Sequence, residues 1–386
     1  MDAKTSRILF ALLRSAVCNT AISEEERLLF NGDMLPEMLN TAKKHDVINI
    51  LAFALKKNGL IKKEFKELDD KISISIYRYI KLDYELKNIC NALETAKIPF
   101  IPLKGSVIRE YYPEPWMRTS ADIDVLIHDC DIETAKAYFT DNLKYKYAGM
   151  HEYEASFYTA SGCHVELHFN LIDNDLANSA AKVLDKVWDT AAKHGNYEYW
   201  CEMSGELFYF YHIAHMAKHF EIGGCGIRPF IDLYILNHNF NYDRKTCDSL
   251  FADAGLTKFS KAAELLSEVW FNNAEHTDIT YQMQDYILRG GVFGTHENEV
   301  MVQKQKLGGK YEYILYKIFI PYKELKKLYP ILEKHRWLTP IMEIRRWFRH
   351  IFVWRLKRAA TEFQCNNSAS EDAVRDVKNL FQNIGL

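Results

Sequence analysis

Apolar positions along this 386-residue chain change their spacing twice. Through Ala96 they recur every three to four residues, in the stretches 8–17, 34–44, 47–57 and 70–96. The last carries Ile74, Ile76, Tyr79, Ile80, Leu82, Leu86 and Ile89. That period predicts helices with one buried face. At Ile98 the pattern shortens. Pro99-Phe100-Ile101-Pro102-Leu103 is a brief extended run leading into Lys104-Gly105-Ser106, and 107–112 reads as a short helix that Pro113 and Pro115 must end. Over 122–128, Ile123, Val125 and Ile127 alternate with polar partners, which predicts a half-buried strand. Residues 132–143 are expected to be helical with Asp131 as N-cap. Extended runs follow at 145–148, 153–159 and 164–170, with Ser161-Gly162 turning between the last two. Past Asn174 the helical period returns, at 179–193, 205–221 (stopped by Gly223-Gly224), 229–237, 261–269 and in aromatic helices to the end, broken by a polar loop at 294–309. The expected fold class is α+β: a small mixed-sheet core at 97–175, flanked by helical regions at 1–96 and 176–386.

Composition narrows the classes. Apolar residues are 48% and charged residues 26%, which argues against long disorder, and 49 basic against 52 acidic side chains leave a net charge of −3. That balance argues against a chain-wide polyanion binder, though not against a local basic face. The apolar runs fall well short of the ~20 residues of a membrane span, and Arg14 interrupts the apolar start at 8–13. Eight cysteines without a C-x-x-C pair fit reduced thiols, so a cytoplasmic location is expected.

The strand at 122–128 carries the chemistry. A period of two puts Asp122 and Asp124 on one side, with α-carbons roughly 6–7 Å apart. Two such carboxylates repel unless a cation lies between them, and Mg2+, or Mn2+ in its place, suits oxygen ligands. The plain alternative is a pair of solvated carboxylates on an exposed sheet face. Gly105-Ser106, at a strand-to-helix junction behind Lys104, could seat an anionic phosphate on free amides and a hydroxyl. In His164-Val165-Glu166-Leu167-His168 the two histidines and Glu166 share a face, so Glu166 offers a third carboxylate. That face could also take zinc, but zinc usually has three or four N/S ligands.

Leu103-Lys104-Gly105-Ser106, then Arg118 and Asp122-Ile123-Asp124, then Val165-Glu166-Leu167-His168 resemble the bacterial nucleotidyltransferase family of the polymerase-β-like superfamily. The resemblance is strongest over 97–172 and extends through His215-x-x-x-His219, Asp232, Phe293-Gly294 and Tyr329-Pro330. It implies that Gly105 and Ser106 hold the triphosphate of an NTP, with Lys104 beside them. Asp122 and Asp124 would bind both metals, and Glu166 would complete the metal site and help activate an acceptor hydroxyl. Two departures stand out: Pro113-Glu114-Pro115-Trp116 lengthens the stretch between Ser106 and Asp122, and the third acid is Glu rather than Asp. The acceptor stays open among small molecule, protein and RNA.

Other residues have two readings each. Arg118 would contact a phosphate or neutralise the aspartates. His212, His215 and His219 share one helical face with Lys218 beside it, suited to packing or to nucleotide contact, and Asp232 could orient one of the imidazoles. His168 is counted with the nucleotide-binding residues. The segment 334–358 mixes Lys334, Arg336, Arg345, Arg346, Arg349, Arg355, Lys357 and Arg358 with Trp337, Trp347, Phe348, Phe352 and Trp354. It could bind RNA or lie on an anionic lipid surface, but an amphipathic helix with aromatics inward and arginines in water is the favoured expectation. Two rivals to a transferase of nucleoside monophosphates are a sugar-nucleotide glycosyltransferase, which also uses Asp-x-Asp, and a catalytically silent binding module of the same fold.

Overall fold

Local capping sets where the first helices begin. Asp2 accepts the Thr5 N–H at 2.9 Å to start α1 (Ala3–Val17), and Ser23 and Glu26 cap α2 (Glu24–Leu29) reciprocally. After them come α3 (Leu35–Lys44), α4 (Ile48–Lys57) and the thirty-residue α5 (Lys66–Thr95). The computed structural model describes residues 1–61, 65–151, 153–171, 178–291, 302–304, 307, 312, 315–316, 318–352 and 371–386. Phe293, Gly294, most of the 294–309 loop, and Trp354, Arg355, Lys357 and Arg358 lie outside the described residues.

One five-stranded sheet follows. It is built from β1 (Phe100–Pro102), β2 (Asp122–Ile127), β3 (Lys146–Met150), β4 (Glu154–Tyr158) and β5 (His164–His168), in the order β1-β2-β5-β4-β3. β2 and β5 run parallel and the other neighbours antiparallel, so the sheet is mixed. Parallel neighbours need a long connection. Here it comprises α7 (Ile132–Asp141), which follows the short α6 (Gly105–Ile108) in the chain, and the β3–β4 hairpin.

Alternation along β2 and β5 divides the chemistry between the two faces. Ile123, Val125 and Ile127, with Val165 and Leu167, are buried in one core with Leu82, Ile89 and Leu93 of α5 and Phe139 of α7. Each such side chain contributes about 2 kcal/mol by leaving water. The polar residues between them therefore point to the other face, whose Leu126 joins a second and larger core.

That larger core is shared by both ends of the chain. After α8 (Asn178–Leu184), α9 (Val187–Thr190) and the hairpin of β6 (Ala192–Lys193) and β7 (Cys201–Glu202) come α10 (Gly205–Ile222), α11 (Arg228–Asn239), α12 (Arg244–Asp253), α13 (Thr257–Asn272) and α14 (Asp278–Arg289). Phe10 of α1 stacks on Trp270 of α13 with ring centroids 4.2 Å apart. Then come α15 (Tyr322–Leu328), α16 (Thr339–Phe352) and α17 (Glu371–Ile384), the last returning Val377, Leu380 and Phe381 to the same core. α10 ends at Gly223, where φ is 154°, as its glycine pair leads one to expect.

Three expectations are corrected. Asp131 makes no side-chain cap, because it ends a 3-10 turn (Asp129–Asp131) in αR backbone, whereas a capping residue needs extended φ/ψ. The helix expected at 179–193 breaks into two short helices, since Ala192 and Lys193 pair with Glu202 and Cys201 instead. In α16 and the turn before it, Trp337 is 72% and Phe348 57% exposed, while Arg346 is buried on Glu343 at 2.7 Å. The guanidinium is inside because Glu343 and the Ile318 carbonyl satisfy it.

Candidate active site

Register decides whether the three acids meet. Asp122 pairs with His164, Asp124 with Glu166 and Leu126 with His168 across the parallel β2–β5 ladder. One ligand atom each from Asp124, Glu166 and His168 falls within a 4.8 Å cluster. His168 Nε2 lies 2.9 Å from Asp124 Oδ1 and 3.3 Å from Glu166 Oε2. Lys104 Nζ stands 3.7 Å from Asp124 Oδ2 on the other side. Lys104 reaches this place from a backbone φ of +43°, a region that costs a lysine free energy and that marks the turn before α6 as strained.

The charges answer one another. Burial raises the Asp122 carboxyl, and Asp124 and Glu166 raise it further. Burial would do the same to Asp124, but Lys104 and His168 outweigh it and hold that carboxyl below the usual range. Burial would discharge His168, yet its bonds to Asp124 and Glu166 lift it to about 9. For Lys104 the pull of burial is likewise overcome, by Tyr211, Asp124, Asp122 and Glu166, and the ammonium stays charged.

A cavity of about 340 Å3 opens beside these groups. Lys104, Asp122 and Asp124 line it from the sheet side, and Tyr211, His212, His215 and His219 line it from α10. Glu166 and His168 flank Asp124 without lining the cavity. Burial, then Lys104, push the His215 and His219 imidazoles down, His219 to about 4, so both are neutral near pH 7. Lys218, beside them in sequence, does not line this space.

Arg118 also borders the cavity, but its charge is engaged. Its Nη2 donates to Asp232 Oδ2 at 2.9 Å and its Nε to Oδ1 at 3.3 Å, while the Tyr112 hydroxyl donates to Oδ1 at 2.7 Å. Arg118 therefore neutralises Asp232 rather than Asp122 or Asp124. Asp232, with both oxygens occupied, orients no imidazole, and His212 Nε2 meets the Pro229 carbonyl at 2.9 Å instead. Gly105 belongs to this network: a Cβ there would collide with the Arg118 guanidinium.

The Gly-Ser turn differs from expectation too. The Ser106 and Val107 amides already donate to the Leu103 and Lys104 carbonyls, so neither is free for a phosphate in this conformation. Ser106 lines a different cavity, on the other side of α6. The inserted Pro113–Trp116 stretch docks on the N-terminal helices, where Asn49 Nδ2 donates to the Trp116 and Met117 carbonyls at 3.2 and 3.0 Å.

Sequence reasoning missed Tyr211, Tyr112 and Arg228. Tyr211 sits one turn ahead of His215 on α10 and was readable as i−4 from it. The other two carry no local signal. Arg228 Nη1 reaches Asp46 Oδ2 at 2.6 Å, a contact between residues far apart in the chain.

A family model described as uncharacterised nucleotidyltransferase matches residues 34–272, which hold the carboxylate strands, α6 and the histidine helix. No curated protein and no solved structure matches the chain significantly. With well over half of its length covered, the chain belongs to this uncharacterised nucleotidyltransferase family.

Proposed function

We propose that the chain moves a nucleoside monophosphate from an NTP to a hydroxyl acceptor, releasing pyrophosphate with the help of two divalent cations. One observation carries the reading: Asp124 and Glu166 face each other on parallel strands, with ligand atoms gathered beside a cavity that Asp122 also lines. The donor set fits Mg2+ or Mn2+, being rich in hard oxygens, and the raised Asp122 carboxyl marks a repulsion that a cation relieves. Of two divalent ions bound there, one would acidify the attacking hydroxyl and the other would neutralise charge on the leaving pyrophosphate. Asp122, Asp124 and Glu166 would hold them. Lys104 supplies a positive charge where the triphosphate is to lie. The Tyr211 hydroxyl is buried beside the Lys104 ammonium, which can only donate to it, so its own O–H is available to a phosphate oxygen or ribose hydroxyl. The neutral His215 and His219 can donate beside it.

The test is pyrophosphate release from each of the four NTPs with Mg2+, together with intact-mass detection of an added nucleotide on acceptors or on the protein itself. Asp124→Asn is expected to lose more than ~100-fold in rate, since even residues that only support metal ligands cost 10–100-fold. Chelation should abolish release. Full activity in that variant overturns the reading, and NTP binding without any release points to the silent module.

A further inference from the structure

Beyond α6 lies a second cavity, of about 510 Å3. α6 and the residue before it form the partition: Lys104 and Ile108 line the carboxylate cavity, Ser106 and Val107 line this one, and Phe208 of α10 borders both. Its walls are aromatic. Tyr111 and Phe240 meet edge to face at 5.2 Å, Phe208 and Phe240 lie 5.4 Å apart, and Trp200 stacks on His194 at 4.3 Å. Its charge is acidic, with Asp83, Glu110 and Glu202 against a single lysine, Lys87. That lysine is already paired with Asp83 at 2.7 Å, and His194 with Glu202 at 2.6 Å.

The cavity is half-open to solvent, with Glu110, Tyr111 and Glu202 exposed at its rim, so a ligand can enter it from outside. Small-molecule sites run to about 300–1,000 Å3, with apolar and aromatic walls and a few polar groups that fix orientation. Aromatic faces attract cations, and carboxylates add charge-assisted hydrogen bonds to them. A triphosphate would meet like charge here, so the cavity is not a second seat for a nucleotide. We propose that it binds a small organic cation with a flat apolar body, an aromatic amine in the simplest case.

The experiment needs no NTP, so its result is independent of the transferase reading. Tryptamine is titrated into the full chain by calorimetry, with 3-methylindole as neutral isostere and indole-3-propionate as anionic one. Cys201, half-buried in the cavity lining, reports location through its rate of alkylation, read peptide by peptide, with the exposed Cys130 as control. Tryptamine should bind, slow alkylation at Cys201 and leave Cys130 unchanged. The Glu110→Gln/Glu202→Gln double variant changes two exposed side chains and should weaken tryptamine about tenfold or more while leaving 3-methylindole unaffected. Absence of binding at millimolar concentration, no protection of Cys201, or equal affinity for indole-3-propionate overturns the proposal.

Discussion

Asp122 and Asp124 stand two residues apart on one strand, yet their surroundings treat them oppositely. Asp122 is crowded by like charge, which Lys104 and a Ser120 hydroxyl donating to Oδ1 at 3.0 Å only partly offset. Asp124 is the common counter-ion of Lys104 and His168. Repulsion alone would make removal of either aspartate neutral or stabilising, but the geometry separates them. Asp122→Ala should change stability by less than ~0.5 kcal/mol, or raise it. Asp124→Ala leaves two half-buried to buried cations without their partner and should cost about 3 kcal/mol. Urea unfolding of both variants without added metal measures the difference, and equal midpoints would show that Lys104 and His168 find other partners. At this scale the sequence disclosed the acids and their shared face. Which cations answer them it could not disclose, because the ammonium and the imidazole arrive from a strained turn and a neighbouring strand.

At the scale of elements, α6 and the loop after it are held against α11 by one buried ion pair. Arg118 and Asp232 are 9% and 1% exposed at their side chains. Burial opposes both charges, but each holds the other: the Asp232 carboxyl is lowered and the Arg118 guanidinium strengthened. Gly105→Ala places a methyl group where the guanidinium lies. It should displace Arg118, leave Asp232 partly unpaired and cost about 3–5 kcal/mol, comparable with Asp232→Asn. If the two changes act on one contact, the double variant is scarcely worse than either alone, and a double-mutant cycle by chemical denaturation reads that directly. Additive losses would instead give Gly105 a separate role. The glycine was visible in the sequence as a phosphate seat. Its tighter constraint is a guanidinium that approaches from thirteen residues along the chain.

For the whole molecule, the decisive fact is the core common to the N-terminal helices and α10–α14. A fragment beginning at residue 97 would expose the faces that α1, α3 and α4 cover and the sheet face that α5 covers, and it should show no cooperative thermal transition. A sharp melt of that fragment would mean that the sheet and C-terminal helices fold without them. The same core buries His45 completely, at the end of α3. Burial, with Lys44 nearby, lowers its pKa to about 4 from 6.5. The unfolded chain therefore takes up a proton below pH 6.5 that the folded chain refuses until about pH 4. Stability from this group is complete above pH 6.5 and is lost progressively between those values, by about 3 kcal/mol in all. His215 and His219, lowered in the same way, add to this acid limb, so His45→Gln should reduce its slope over that window without abolishing it, and an unchanged slope would place the sensitivity in the other histidines.

Alternation and helical period, both local properties of the chain, sufficed to place the five strands, the long α5, the carboxylate face and the histidine face of α10. They hold because each element must bury its own apolar side, whatever it packs against. Only the tertiary structure settled the register that sets Asp124 opposite Glu166, the engagement of Arg118 by Asp232, and the turning of Ser106 away from the carboxylates. Those depend on residues brought together from distant parts of the chain, whose charges and volumes leave no periodic trace in the sequence.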